Sequence, residues 1–417
     1  MNILFIEMEQ QNLQLMKKLV EDGHTVYTQQ CQTPIYYKSF GITSIPELPY
    51  FIYAQTKEDL KEEDINALKN NSLPIRIQEE FEKILEKYKI DLVINTYPMF
   101  NNIMHSKDYG VDFISCSPEG VKLETEKVFA RQFAHHCGIK VPKIITTGNN
   151  SFEISKNENL PKSFVAKPTN MWASSKICLD KRILDIFPKE TFFSYPFPID
   201  YYIEEIVKGL ETNISYIMSN GKWSFTFSES CDESKAKLVN GEGPQAWFVN
   251  TTVEQLTPEI DKMVRDNVVE YLNEAAKLGG TYEGSITQML GEDGELYFLE
   301  NNCRPYVNNT FPLPLGGDEY LDAFKNNPQK IGDCFTGKKF PKLVFQGKTA
   351  FREDSRCEYP FHLHDKYGIT EPTSIEIKND KYFAMKGAVI IVFEDEINMD
   401  FVNEVEKESD LTAYWGD

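Results

Sequence analysis

The stretch Leu296-Tyr297-Phe298-Leu299-Glu300-Asn301-Asn302-Cys303-Arg304 decides how this chain is read. Its apolar start is long enough for a buried strand, and it ends abruptly in a carboxylate, amides and a guanidinium. Strand side chains alternate between two faces, so Glu300, Asn302 and Arg304 are expected to share one of them. Hard oxygen ligands beside a fixed cation suit Mg²⁺ on a polyphosphate, with Arg304 taking the oxygens the metal leaves. Desolvated charges need partners, which gives a buried strand little other reason to end in this way. The competing reading is a strand running into a polar surface loop. By the same alternation Cys303 points away, toward packing rather than chemistry.

The rest of the chain bounds the reading. At 417 residues it is too long for a single core and implies roughly two to four domains. A formal net charge of -20 argues against nucleic acid or an anionic membrane surface as a partner. The opening Met1-Asn2-Ile3-Leu4-Phe5-Ile6 meets Glu7 and Glu9, unlike a signal peptide, and no run approaches the ~20 apolar residues that span a bilayer. The eight cysteines contain no C-x-x-C pair and read as reduced thiols of a cytoplasmic protein. His135-His136-Cys137 falls on a helix, where sequence neighbours diverge, so it reads as structural.

Periodicity divides the chain. Ile3–Ile6, a helix over Gln11–Asp22 and Thr25–Thr28 read as βαβ. A helix over Ile77–Tyr88 and a buried strand over Ile90–Asn95 extend this to a small parallel sheet over about 1–115. A helix over Lys122–His136 precedes short strands at Phe164–Lys167 and Tyr201–Val207. Two hairpins follow, one turning at Asn220-Gly221 and one at Asp293-Gly294, separated by a helix over Pro258–Leu278. After Leu343 the chain reads as a further β-rich unit, and His362-Leu363-His364 falls on a possible strand there.

Several motifs gather around the strand end. Leu123-Glu124-Thr125-Glu126-Lys127-Val128-Phe129-Ala130, Tyr202-Ile203-Glu204-Glu205-Ile206-Val207-Lys208-Gly209-Leu210-Glu211, Gly241-Glu242-Gly243-Pro244 and Glu300-Asn301-Asn302-Cys303-Arg304 occur in that order. The order resembles the ATP-grasp superfamily, and within it glycinamide ribonucleotide synthetase, from about Ser117 to Phe324. The resemblance implies an α/β architecture. A Rossmann-like N-terminal domain (1–116) would precede two α+β lobes that clasp ATP (117–196 and 197–335), followed by a β-rich C-terminal domain (336–417). It implies that Lys127 and Lys167 hold phosphates, and that the backbone over Glu205–Val207 pairs with adenine. Glu211 would take the ribose, and Leu290 and Leu299 count among the nucleotide contacts; read from the residues alone, Glu204-Glu205 and Glu211 bracket a strand end where carboxylates accept ribose hydroxyls. Glu300, Asn302 and Gln288 would hold Mg²⁺, with Mn²⁺ as a substitute, and Arg304 would act with Lys167 on the transferring phosphoryl group. The substrate side would be lined by Glu242, Gly243, Gln245, Trp247, Tyr306 and Asn308.

Departures from the pattern bear on the substrate. Twelve residues before Glu300, where many members carry a metal-binding glutamate, stands Gln288. A three-residue loop centred on Gly294 would pair it with Glu300. The loop after Lys167, glycine-rich in the family, here reads Pro168-Thr169-Asn170-Met171-Trp172-Ala173-Ser174-Ser175-Lys176. Glu7 and Glu9 stand after the first strand, where the synthetase holds a phosphate, and their charge would repel one. The expected activity is an ADP-forming carboxylate–amine ligase acting on an amino acid or a similar carboxylate with a small-molecule amine, as a monomer or homodimer. The alternatives are an authentic phosphoribosylamine–glycine ligase and a nucleotide-binding protein or kinase without ligase turnover.

Overall fold

The computed structural model describes residues 1–7, 12–29, 34–48, 66, 75–150, 159–161, 163–169, 178–180, 200–231, 253–254, 256–304, 313–338, 340–348, 356–370, 372, 375–384 and 388–414. The chain opens with β1 (Asn2–Ile6), α1 (Leu13–Glu21), β2 (Thr25–Gln29), α2 (Pro34–Ser39), β3 (Thr43–Ile45), α3 (Ile75–Lys87), β4 (Leu92–Asn95), α4 (Asn101–Met104) and β5 (Asp112–Ile114). These strands form one parallel sheet in the order β3-β2-β1-β4-β5. Leu4, Ile6 and Val93 pack with Phe81 and Ile84 of α3 on one face. Ile3 and Phe5 pack with Leu13, Met16 and Leu19 of α1 on the other. Burial on both faces is why β1 and β4 read as unbroken apolar runs.

The single helix expected over 122–136 is two, α5 (Lys122–Thr125) and α6 (Lys127–His136), broken at Glu126 with φ -109° and ψ 82°. The break leaves the Lys127 amide without an intrahelical acceptor, and it donates instead to the Thr169 carbonyl at 3.0 Å. The break therefore ties Lys127 to the lobe that follows.

That lobe is an antiparallel sheet of β6 (Ile144–Asn150), β7 (Ser163–Pro168), β8 (Cys178–Asp180) and β9 (Asp200–Glu204), in the order β6-β9-β7-β8. Its core is small: Leu160, Phe164, Ala166, Tyr201 and Ile203. The larger lobe contains β10 (Gly209–Ser219), β11 (Lys222–Cys231), β12 (Val253–Glu254), α7 (Pro258–Ala276), β13 (Thr281–Gly291) and β14 (Leu296–Asn302). The strands run antiparallel in the order β12-β11-β10-β13-β14. Asn220 and Gly221 both have positive φ, as the tight β10–β11 hairpin requires.

The two faces of the larger sheet differ. Ile214, Tyr216, Met218, Ile286 and Phe298 pack on one face against Val264, Val268, Tyr271 and Leu272 of α7. On the other face, Ile217 and Phe227 pack against Tyr320 and Phe324 of α8 (Gly317–Asn326) and Ile331 and Phe335 of α9 (Pro328–Phe335). The far end of this second face is polar and carries the site. After it come β15 (Lys342–Gln346), β16 (Cys357–Glu358), α10 (His362–Tyr367), β17 (Ile375–Lys378), β18 (Lys381–Ala384), β19 (Ala388–Val392), α11 (Met399–Glu408) and β20 (Thr412–Tyr414). They form sheets β19-β15-β20 and β16-β18-β17, and their core is continuous with that of the N-terminal sheet. His362-Leu363-His364 begins a helix here rather than a strand. His364 is buried, 2.6 Å from the Tyr359 hydroxyl and stacked on Phe361, while His362 faces Glu408 at the surface.

Candidate active site

The far end of the polar face is built by register. Glu229 on β11 stands opposite Asn213 on β10, Asn213 opposite Thr287 on β13, and Thr287 opposite Glu300 on β14. Directly opposed residues of antiparallel strands share a face, so these side chains form one row across the sheet. Asn302 and Arg304 continue along the edge. Arg304 Nη2 donates to Asn302 Oδ1 at 3.2 Å, and Asn302 Nδ2 donates to Glu300 Oε1 at 3.4 Å. Glu300, Asn302 and Arg304 thus stand together, and Cys303 turns inward against Gly120 and Asn301.

Each cation here meets a carboxylate. Lys127 Nζ lies 3.1 Å from Glu300 Oε2, Lys167 Nζ 3.0 Å from Glu204 Oε1, and Arg304 Nε 2.7 Å from Glu124 Oε1. Glu124 is fully buried, and its other oxygen accepts the Cys303 amide at 2.8 Å. Burial alone would push the Glu300 carboxyl up, but Lys127 and Lys167 outweigh it and hold the group down at about 2. Burial also lowers Lys167, against the pull of Glu204. Glu204 stays below the ordinary carboxylate range, because Arg131 and Lys167 overcome its burial.

The geometry revises several expectations. Gln288 is not beside Glu300. It pairs with Phe298, because the hairpin closes between Leu290 and Leu296 and Leu299 bulges out before Glu300. Its side chain, wholly buried, lies on the α7 face, where it accepts from Asn267 and donates to the Val264 carbonyl at 3.0 Å. Leu290 packs on that same core, and Met289 shares the face of Thr287. Glu204 does not present a free carboxylate to a ribose, since Arg131 and Lys167 occupy both its oxygens. Glu205 uses its amide and one carboxylate oxygen on the Lys143 backbone, both at 3.0 Å. Val207 lies in the β9–β10 connection and Glu211 near the start of β10, both partly exposed. Glu242, Gly243, Gln245, Trp247, Tyr306 and Asn308 lie outside the described residues, as do Glu9 and Trp172. Arg131, Glu124 and Thr287 were not singled out from the sequence. The signal for them was spacing: Arg131 stands four residues after Lys127, Glu124 three before it, and Thr287 one strand from Glu300.

Among the described residues no group of three His, Cys, Asp or Glu side chains could cage a metal alone. One ionised carboxylate beside an amide oxygen nevertheless fits Mg²⁺, which keeps waters and shares substrate phosphates rather than needing a full protein cage.

No family profile matches the chain, and no curated protein is similar to it in sequence. Its structure is similar to solved ones along nearly their whole length. One is phosphoribosylamine–glycine ligase from Thermotoga maritima, at 14% identity and TM-score 0.61, covering 99% of each chain. Another is N5-carboxyaminoimidazole ribonucleotide synthetase from the same organism, also at 14% identity with 99% of each chain covered and TM-score 0.59. A third is an L-amino acid ligase from Bacillus licheniformis, at 11% identity and TM-score 0.62, covering 100% of this chain and 99% of that one. The chain has the ATP-grasp fold.

Proposed function

We propose that this chain is an ATP- and Mg²⁺-dependent ligase that joins a carboxylate to an amine through an acyl phosphate, releasing ADP and phosphate. An amino acid or a close analogue is the carboxylate. The observation that carries this reading is the meeting of Lys127 with Glu300 at the edge of a row that Asn302 and Arg304 complete. Phosphoryl transfer in line asks chiefly for positioning and charge neutralisation. Lys127 and Lys167 would bind the phosphates, and Arg304, oriented by Glu124, would neutralise the oxygens of the group in transfer. Glu300 and Asn302 would hold Mg²⁺, which would supply further neutralisation there. A carboxylate oxygen of the substrate attacks the γ-phosphorus as the bond to ADP breaks. The amine then attacks the acyl carbon and loses a proton, and phosphate departs.

Glu7 takes up donors that a phosphorylated substrate would need beside the N-terminal sheet. Its carboxyl is buried after β1 and accepts from Tyr37 and from the Asn12 amide and side chain. A screen of ADP release with amino acids paired with amines tests the proposal. Glu300→Ala and Arg304→Ala should abolish release in every positive well, and unchanged release in Glu300→Ala would remove the metal assignment. Hydroxylamine in place of the amine separates a ligase, which gives an acyl hydroxamate, from a nucleotide-binding protein or kinase, which gives none. Robust turnover of glycine with phosphoribosylamine would instead favour the purine-pathway ligase.

A further inference from the structure

Arg131 is 1% exposed, yet it belongs to none of the roles above. It stands on α6 one turn beyond Lys127 and so on the same side of the helix. Its Nε and Nη2 grip both oxygens of Glu204, each at 2.8 Å, and its Nη1 donates to the Leu299 carbonyl at the β14 bulge. Tyr202 and Phe298 lie over the guanidinium with their ring centres 5.6 and 5.7 Å away, which keeps water from the pair. One side chain thus joins the helix of Lys127, the strand of Glu204 and the residue before Glu300.

Resting on the nucleotide-binding reading, we propose that Arg131 is a positioning residue: it takes up the charge of Glu204 so that Lys167 faces a phosphate with its own charge uncancelled, and it fixes the strand tip that carries Glu300. The charge count makes the point. Arg131 and Lys167 against Glu204 leave one net positive charge, whereas Lys167 and Glu204 alone leave none. A lysine at 131 would restore the charge, but a point cation cannot span two carboxylate oxygens and a carbonyl. A purely structural ion pair would change stability and leave nucleotide affinity alone.

Calorimetry of the full-length chain with Mg²⁺–ADP tests this, with folding checked by circular dichroism. Arg131→Met is expected to weaken binding about tenfold or more, the size of one charge-assisted contact to phosphate. Arg131→Lys should recover part of the loss. Arg131→Met with Glu204→Gln should recover most of it, because Lys167 is again left with uncancelled charge. Binding by Arg131→Met within twofold of the parent overturns the proposal, as does a loss that Glu204→Gln fails to relieve. If Arg131→Met does not fold, Arg131→Lys decides: a loss of about threefold supports the role, and unchanged affinity overturns it. A parent chain that gives no heat with Mg²⁺–ADP removes the nucleotide reading and this proposal together, whereas a binding parent with an indifferent variant removes only the latter.

Discussion

At the residue scale, burial decides what each charged group can do. Glu7 shows the cost. Burial raises its carboxyl from 4.5 to about 7 despite hydrogen bonds from Tyr37 and Asn12, which lower it. The folded chain therefore holds a proton there that the unfolded chain has released. Between pH 4.5 and about 7 the stability contributed by this group falls as pH rises, by about 3 kcal/mol in total. Glu7→Gln should flatten that part of the stability profile, measured as urea midpoints from pH 5 to 8. An equally steep profile in the variant would assign the slope to other groups. Glu124, also buried, meets the Arg304 guanidinium at 2.7 Å. Glu124→Gln should cut ADP release about tenfold and leave ADP affinity within about twofold, because Arg304 is expected to act on the group in transfer and not on the bound nucleotide.

Among the elements, the hairpin β13–β14 matters most. One extra residue at Leu299 turns Gln288 toward α7 and sets Thr287 opposite Glu300. A single step of register moves a side chain to the other face, so the two positions should answer the same substitution in opposite ways. Thr287→Glu adds a carboxylate beside Glu300 and should tighten Mn²⁺ binding about tenfold, read by electron paramagnetic resonance. Gln288→Glu buries a charge against the Val264 carbonyl and should cost about 3 kcal/mol or more, read as a lower urea midpoint, with no gain in metal affinity. The reverse pattern would mean the hairpin closes without the bulge.

At the scale of the whole molecule, α6 and β14, far apart in sequence, meet through opposed charges. Lys127 on α6 pairs with Glu300 on β14. A divalent cation competes for Glu300 and a phosphate for Lys127, so each ligand frees the other's partner, and their binding energies are coupled reciprocally. Calorimetry should show ADP binding about tenfold or more tighter with Mg²⁺ than with EDTA. Lys127→Met should bind Mg²⁺ alone more tightly than the parent, because Glu300 then loses the cation that competes with the metal. Equal Mg²⁺ affinity in parent and variant would show that the ion pair does not control the site.

The sequence by itself determined whatever depends on near neighbours. The apolar runs of β1 and β4 declared a sheet covered on both faces, and alternation along β14 set Glu300, Asn302 and Arg304 on one side with Cys303 on the other. Those features follow from the pleat and from local burial. The tertiary structure alone decided the bulge at Leu299, the helix break at Glu126 and the capture of Glu204 by Arg131. Each depends on a partner far along the chain, the Lys127 amide on Thr169 and the Arg131 guanidinium on Glu204 and Leu299. Periodicity reports which way a side chain points, and only packing reports what it meets there.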